Sequence, residues 1–426
     1  MARKMKDSGV EWIGMIPENW GTPKIVNQFD IIGSGTTPKS NEDGYYEDGT
    51  IYWIQSGDLH NRFLESTNKK ITQEAFDNAS ALKLYEPEYL VMAMYGASIG
   101  NVSISKIRAC TNQACCVLAN SRNYLKYMYY VISSAKDYLI YLAVGGTQPN
   151  ISQNIVRDLR TPLPNLEEQR KIADFLDGKI GEVDTIISKT KESIEEYKKY
   201  KKSIVIKAVT KGLHPNVPMK QTDSDWIGEI PAHWEYVRIQ RLFETVDERN
   251  EDENALLLSL YTALGVKPRN ELEEKGNKAS TVINYKKVQK NDIIVNKLLA
   301  WMGAIGYSDY EGVTSPDYDV YRAREGANIV RNYYNEYFRN TCFNGDCYKY
   351  GHGIMLMRWR TYPEEFLRIK VPNPPLEEQQ EIAEYLAEKC GEIDALIAKK
   401  EAFVEEMEAY KKSLIYEYVT GKKEVL

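Results

Sequence analysis

The sequence predicts an α+β protein. Two globular α/β domains lie in tandem, separated and joined by two long helices that pair as an antiparallel coiled coil, the whole related by a pseudo-twofold internal duplication. Three observations carry this reading. Two well-separated motifs recur in the same order, each repeat closes on a heptad pattern of helical length, and the blocks between read as short strands broken by glycine and asparagine.

The repeat is explicit. Trp12-Ile-Gly-Met-Ile-Pro-Glu-Asn-Trp20 returns as Trp226-Ile-Gly-Glu-Ile-Pro-Ala-His-Trp234. Leu166-Glu-Glu-Gln-Arg-Lys-Ile-Ala-Asp-Phe-Leu176 returns as Leu376-Glu-Glu-Gln-Gln-Glu-Ile-Ala-Glu-Tyr-Leu386. Gly181-Glu-Val-Asp184 matches Gly391-Glu-Ile-Asp394, and Tyr200-Lys-Lys-Ser203 matches Tyr410-Lys-Lys-Ser413. The period is far longer than a solenoid repeat of about 20–50 residues. The ends of each copy agree while the middles have drifted, so one frame carries two different inserts.

Each closing segment reads as a long helix. Val183, Ile187, Ile194, Tyr197 and Ile204 step by fours and threes, with Thr190, Lys201 and Ala208 completing the series. Ile393, Ile397, Val404, Met407 and Leu414 keep the same register in the second copy. This is a helix-pairing seam, with Glu195, Glu196, Lys198 and Lys199 off it. Heptads alone also allow each helix to pack only on its own globular neighbour; two seams of equal length in one chain favour mutual pairing. A capping box, Asn165 to Glu168, opens the first helix, and Gly212 is placed to end it. Pro375 removes that box from the second copy, and the prolines before each helix prevent an earlier start.

The resulting boundaries are 1–161 for the first globular block, 162–212 for the first helix, 213–371 for the second block and 372–426 for the second helix. Ile51–Ile54, Tyr89–Met94 and Ile293–Val295 are the strongest strand candidates. Each block is long enough to bury its own core.

Composition narrows the function. At 426 residues, 43% hydrophobic and 27% charged, the chain is of ordinary globular make-up. The most apolar long window, Tyr127–Gly146, carries Lys136 and Asp137, which argues against a membrane span. The basic N-terminus has no apolar run behind it, and six cysteines with two adjacent form no disulfide framework; a cytoplasmic protein with free thiols is expected. The four histidines lack metal-ligand spacing, so no metal is expected. No phosphate loop or nucleophile elbow appears, and no catalytic residue is assigned. Asn373-Pro-Pro-Leu376 is similar to the motif with which amino-methyltransferases hold an amine, but leucine replaces the aromatic and the first copy loses the motif. It is a helix lead-in.

DNA-contact chemistry fits better. Arginine and lysine reach guanine O6 and N7, and asparagine and glutamine pair with adenine. Such side chains sit on glycine-rich loops: Thr37, Lys39 and Ser40, then Gln148 and Asn150, and in the second block Lys267, Arg269, Lys297, Trp301, Arg358 and Arg360. The net charge of −6 counts against a chain that grips DNA alone. A protein-binding scaffold, and a self-contained methyltransferase, are the competing readings.

These residues resemble the specificity subunit of type I restriction–modification enzymes. The resemblance rests on Trp12–Trp20 and its copy, Ser34-Gly-Thr-Thr-Pro38, Trp53-Ile-Gln-Ser-Gly-Asp58, Gly96-Ala-Ser-Ile-Gly100, Thr147-Gln-Pro-Asn-Ile-Ser152 and Pro375-Leu-Glu-Glu-Gln379. It implies two target-recognition domains, each reading half of a split, asymmetric site on double-stranded DNA. It implies paired helices that act as a ruler and dock two adenine-N6 methyltransferase subunits, with two restriction subunits completing the complex. The chain itself would hold no cofactor; S-adenosylmethionine, ATP and Mg would belong to the partner subunits. The second block departs from the pattern, with Trp301-Met-Gly-Ala-Ile-Gly306 in place of Gly-Ala-Ser-Ile-Gly, so the two half-sites are expected to differ.

Overall fold

The computed structural model describes residues 3–39, 43–60, 62–143, 149–271, 281–354 and 359–425. The two long helices run Leu166–Lys211 and Leu376–Val419. The chain divides into two compact units, Met1–Thr190 with Ala402–Leu426, and Lys191–Glu401. Each unit thus takes one globular block together with part of both helices.

The helices pair antiparallel within each unit. In the first, Val183 and Ile187 cluster with Val404 and Met407, Phe175 meets Tyr418 at 4.5 Å between ring centres, and Lys411 binds Asp184. In the second, Ile194 clusters with Ile393 and Ile397 beside Tyr197 and Ile204, and Lys201 binds Asp394. Leu414 lies in the main core of the first unit. Leu166–Thr190 and Leu376–Lys400 share the same pattern of burial at all but three of twenty-five positions. The repeated seam is therefore repeated in packing as well.

Each block is built on an antiparallel sheet. In the first unit the strand order is Phe29–Gly33, Cys115–Ser121, Tyr89–Ala93, Val102–Ser105, with Phe63–Leu64 added parallel at the edge. The second unit keeps the first four places as Phe243–Val246, Tyr318–Ala323, Ile293–Asn296 and Ile305–Tyr307. The central strands are buried on both faces because alternate side chains enter different cores. Leu90 and Met92 pack towards the core that includes helix Leu125–Ser134, whereas Tyr89, Val91 and Ala93 enter a second cluster. Ile293 and Val295, against Ile294, repeat the division.

The duplicated motifs prove to be one joint. Each opening motif forms a hairpin, Met5–Asp7 with Met15–Pro17 and Met219–Gln221 with Glu229–Pro231, and ends on a buried tryptophan. Trp20 Nε1 donates to Glu168 Oε2 at 3.0 Å, and Trp234 Nε1 donates to Glu378 Oε2 at 2.8 Å. This corrects the expected capping box. Asn165 Oδ1 does accept the N–H of Glu168 at 2.9 Å, but the Glu168 carboxylate is engaged by Trp20 and Arg3. Gly212 ends the first helix in the left-handed conformation, φ +73°, and Gly421 follows the second at φ +71°. A Cβ on Gly421 would lie 2.6 Å from Pro17 and 3.0 Å from Trp20, so only glycine fits against the hairpin.

The adjacent glutamines bind the globular blocks to the helices. Gln169 accepts the Tyr124 N–H at 2.9 Å and donates to Pro164 O and Asn123 Oδ1. Gln379 accepts the Val330 N–H at 2.8 Å and donates to Pro374 O and Asn328 O. Both are almost fully buried. Each supplies an acceptor at the start of a helix, where backbone donors lack an intrahelical partner. Tyr127 Oη donates to Val419 O in the first unit, and Tyr333 Oη donates to Val209 O in the second.

Candidate nucleic-acid interface

In the first unit the Ser34–Lys39 loop is held by its backbone. Gly35 N donates to Thr111 Oγ1 at 3.0 Å, Trp53 Nε1 to Thr36 O at 3.2 Å, and Tyr46 Oη to Pro38 O at 2.8 Å. A Cβ on Gly35 would sit 1.8 Å from Thr111 O, which explains glycine there. The pinned loop leaves Thr37 and Lys39 exposed, with Thr37 Oγ1 donating to Gln113 Oε1 at 2.8 Å. Both line a cavity of about 410 Å³ with Tyr45 and Asn78. Ser40 and Gln148 lie outside the described residues.

Two motifs far apart in sequence meet on this unit. Tyr95 bridges Asn150, Gly96 N donates to Pro149 O at 2.9 Å, and Ile151 N donates to Met94 O at 2.9 Å. The Gly96–Gly100 turn and the segment ending at Ser152 therefore form one surface, with Tyr95 and Asn150 exposed.

The second unit builds the corresponding place from other residues. Thr361 N donates to Lys297 O at 3.0 Å, and His352 and Arg360 pair through their backbones. The Trp301 ring meets Tyr348 edge-on at 6.0 Å, and Tyr348 stacks on Trp359 at 5.0 Å and 20°. Trp301 thus joins Tyr348 and Trp359 in one aromatic cluster, while a backbone bond places Lys297 beside Thr361, and Arg360 follows Trp359 in sequence. Both indole N–H groups are donated internally, Trp301 to Leu298 O and Trp359 to Tyr348 O. The rings can offer only faces and hydrocarbon edges outward. Lys267 instead lies over the Tyr310 ring at 5.8 Å, on the strand Gly265–Pro268 that Arg269 follows. Arg358 lies outside the described residues.

Tyr348 and His352 were not among the residues singled out by sequence. Tyr348 sits in helix Thr341–Tyr350, where nothing local distinguishes it from the many packing tyrosines; only its place between two tryptophans does.

The cysteine thiols are poorly suited to catalysis. All six cysteines are free, and burial pushes the thiols of Cys110 and Cys116 up to about 12 and Cys115 higher still. Thiols held neutral in this way are poor nucleophiles. Among the described residues no three or more of His, Cys, Asp and Glu are grouped to hold a metal ion, and no helix is long and apolar enough to cross a membrane.

Known proteins resemble this chain in sequence and in fold. A family model for the type I restriction modification DNA specificity domain matches residues 17–196. The putative type I restriction enzyme MjaX specificity subunit of Methanocaldococcus jannaschii is 25% identical over 96% of this chain and 95% of its own length. The chain spans about half the length of the MjaVIII specificity subunit from the same organism, also at 25% identity, with 54% of this chain covered (50% of that protein). The EcoR124I/EcoR124II specificity subunit of Escherichia coli is 26% identical over 40% of this chain and 41% of its own. A solved chain from a study of type I restriction–modification assembly shares the fold at TM-score 0.70 and 14% identity, covering 96% of this chain and 99% of that one. The HsdS subunit of Thermoanaerobacter tengcongensis does so at TM-score 0.53 and 13% identity, over 98% and 100%. Sequence relatives, the matched domain and the duplicated architecture agree: the chain is similar to the specificity subunits of type I restriction–modification systems, in sequence most directly over residues 17–196.

Proposed function

We propose that each unit reads one half of a bipartite, asymmetric DNA site and that the paired helices dock two adenine-N6 methyltransferase subunits. As a specificity subunit the chain is the non-catalytic, recognising component of its system. The observation that carries the finer reading is one frame bearing two different surfaces. The turn after the central strand holds Gly96–Ser98 beside exposed Tyr95 in one unit, and Ala300–Met302 beside the Tyr348–Trp359 stack in the other.

The chemistry of reading follows from these side chains. Asn150 is suited to a bidentate pair with adenine, and Lys297 and Arg360 to guanine or phosphate. Trp301, with its N–H already donated inward, is suited to apolar contact such as a thymine methyl. Docking of two identical partners is favoured by exposed apolar residues repeated at equivalent helix positions: Ile186 with Leu396, and Tyr200 with Tyr410. S-adenosylmethionine would be bound by the methyltransferase subunits, and ATP with Mg by restriction subunits. Partners that also clamp DNA would supply the phosphate contacts that a chain of net charge −6 does not need to supply alone. The complex would work in the cytoplasm.

Co-expression with the methyltransferase subunit of its own system, followed by sequencing that detects N6-methyladenine, tests this. A two-part methylated motif that disappears when the chain is omitted supports the reading. A stable complex that binds no duplex DNA and methylates none contradicts it and favours a protein-binding scaffold.

A further inference from the structure

The duplicated frame lets one unit serve as a template for the other. In the first unit Gln169 accepts the N–H of Tyr124, the residue that opens helix Leu125–Ser134. The Tyr124 ring lies under the Arg170 guanidinium at 5.5 Å, and its hydroxyl donates to Asp174 Oδ1 at 3.4 Å. The chain's own aromatic side chain covers this place between the two helix starts.

In the second unit Gln379 accepts the N–H of Val330, so Val330 stands where Tyr124 stood. Gln380 replaces Arg170, Glu381 replaces Lys171 and Glu384 replaces Asp174. A groove of about 870 Å³ is left, lined by Ile329, Val330 and Leu376 together with Glu377, Glu381 and Glu384. Arg331 also lines the groove, but its guanidinium is tied to Asp309 at 2.6 Å and to Asn291 Oδ1 at 3.0 Å. The groove has lost the ring of Tyr124 and the cation of Arg170, and has gained negative charge at Glu381; His214 lies 3.2 Å from Glu381, and Gln380 donates to Glu384 at 2.7 Å.

We propose that this groove binds a protein segment of a partner presenting a tyrosine beside an arginine or lysine. The first unit shows what such an occupant does. The ring covers the apolar residues at the helix start, its hydroxyl reaches the carboxylate at the Asp174 position, here Glu384, and the cation offsets the acidic helix face. Charge complementarity selects the occupant: an acidic or purely aliphatic segment would leave Glu377 unbalanced and Glu381 with His214 alone, against apolar surface. The proposal concerns a protein ligand in one unit only, and stands whether or not the DNA reading holds.

The test uses the full chain labelled with ¹³C at its methyl groups and titrated with N-acetyl-tyrosyl-arginine amide. The Ile329, Val330 and Leu376 methyls are expected to shift saturably, with a Kd of about millimolar for so small a probe. The tyrosyl-glutamate analogue should bind at least about fivefold more weakly, because its charge opposes two exposed carboxylates. Val330→Tyr with Gln380→Arg rebuilds the first unit's filling and should abolish the Ile329 and Leu376 shifts without lowering Tm. Should that variant not fold, Glu381→Lys with Glu384→Lys, both at exposed positions, should weaken binding by the same factor. Equal binding of the glutamate or an alanyl-arginine analogue, binding that survives either double variant, or no saturable shift would overturn the proposal.

Discussion

Lys411 Nζ lies 2.5 Å from Asp184 Oδ1, and the duplicated residues Lys201 and Asp394 meet at 2.6 Å. Each bond joins the Tyr-Lys-Lys-Ser end of one helix to the Gly-Glu-x-Asp segment of the other, so the repeated motifs fix the antiparallel register by complementary charge. Both pairs are partly exposed, and water screening limits an ion pair of this kind to about 0–1 kcal/mol. Asp184→Lys should therefore cost under about 1 kcal/mol, and Asp184→Lys with Lys411→Asp should recover most of it. A double-mutant cycle in urea measures the coupling, and independent, additive effects would contradict the pairing.

Gln169 and Gln379 carry more. Each is buried and satisfies a helix-start N–H together with backbone carbonyls. Gln169→Leu or Gln379→Leu leaves those groups orphaned, and each should lower stability by about 1–3 kcal/mol in urea unfolding.

Asp346 supplies a pH dependence. Burial raises its carboxyl to about 6, despite a 2.7 Å hydrogen bond from Ser224 Oγ. With the folded pKa above the unfolded one, the native state binds the proton more readily between the two values. The penalty of the buried charge is thus absent below about pH 4 and fully present above the folded pKa of about 6. Asp346→Asn should stabilise the protein at pH 8 by about 1–2 kcal/mol, after allowing for screening, and by nothing near pH 4. Denaturation of both proteins at the two pH values checks the sign.

The ruler reading makes a geometric prediction. Four residues inserted in one long helix lengthen it by about 6 Å, near two base pairs. Methylation mapping should find a longer unspecified spacer and unchanged half-sites, with some stability lost because four residues break the seven-residue phase. An altered half-site with the old spacer would contradict it.

What sequence made legible was periodic or repeated. The heptads at Val183–Ile204 and Ile393–Leu414 announced helices, and Ile51–Ile54, Tyr89–Ala93 and Ile293–Asn296 are strands as their composition suggests. The joint between motifs was hidden, since Trp20 and Glu168 are 148 residues apart and the local reading of Glu168 was a capping box. A signal did exist: both copies keep the tryptophan and the glutamate while Lys171 drifts to Glu381. Residue types on the recognition loops were visible, but the meeting of Tyr95 with Asn150, and of Trp301 with Tyr348 and Trp359, depends on tertiary closure that no periodicity encodes.

The central claim is that each unit reads its own half-site. Methylomes of cells expressing the methyltransferase with the unaltered chain, with Gly35→Ala or with Trp301→Ala test it most directly. Gly35→Ala forces the Thr37–Lys39 loop away from Thr111 and should relax or abolish one half of the motif. Trp301→Ala should relax only the other half. Changes in both halves from either single substitution, or an intact motif in both folded variants, would contradict the account.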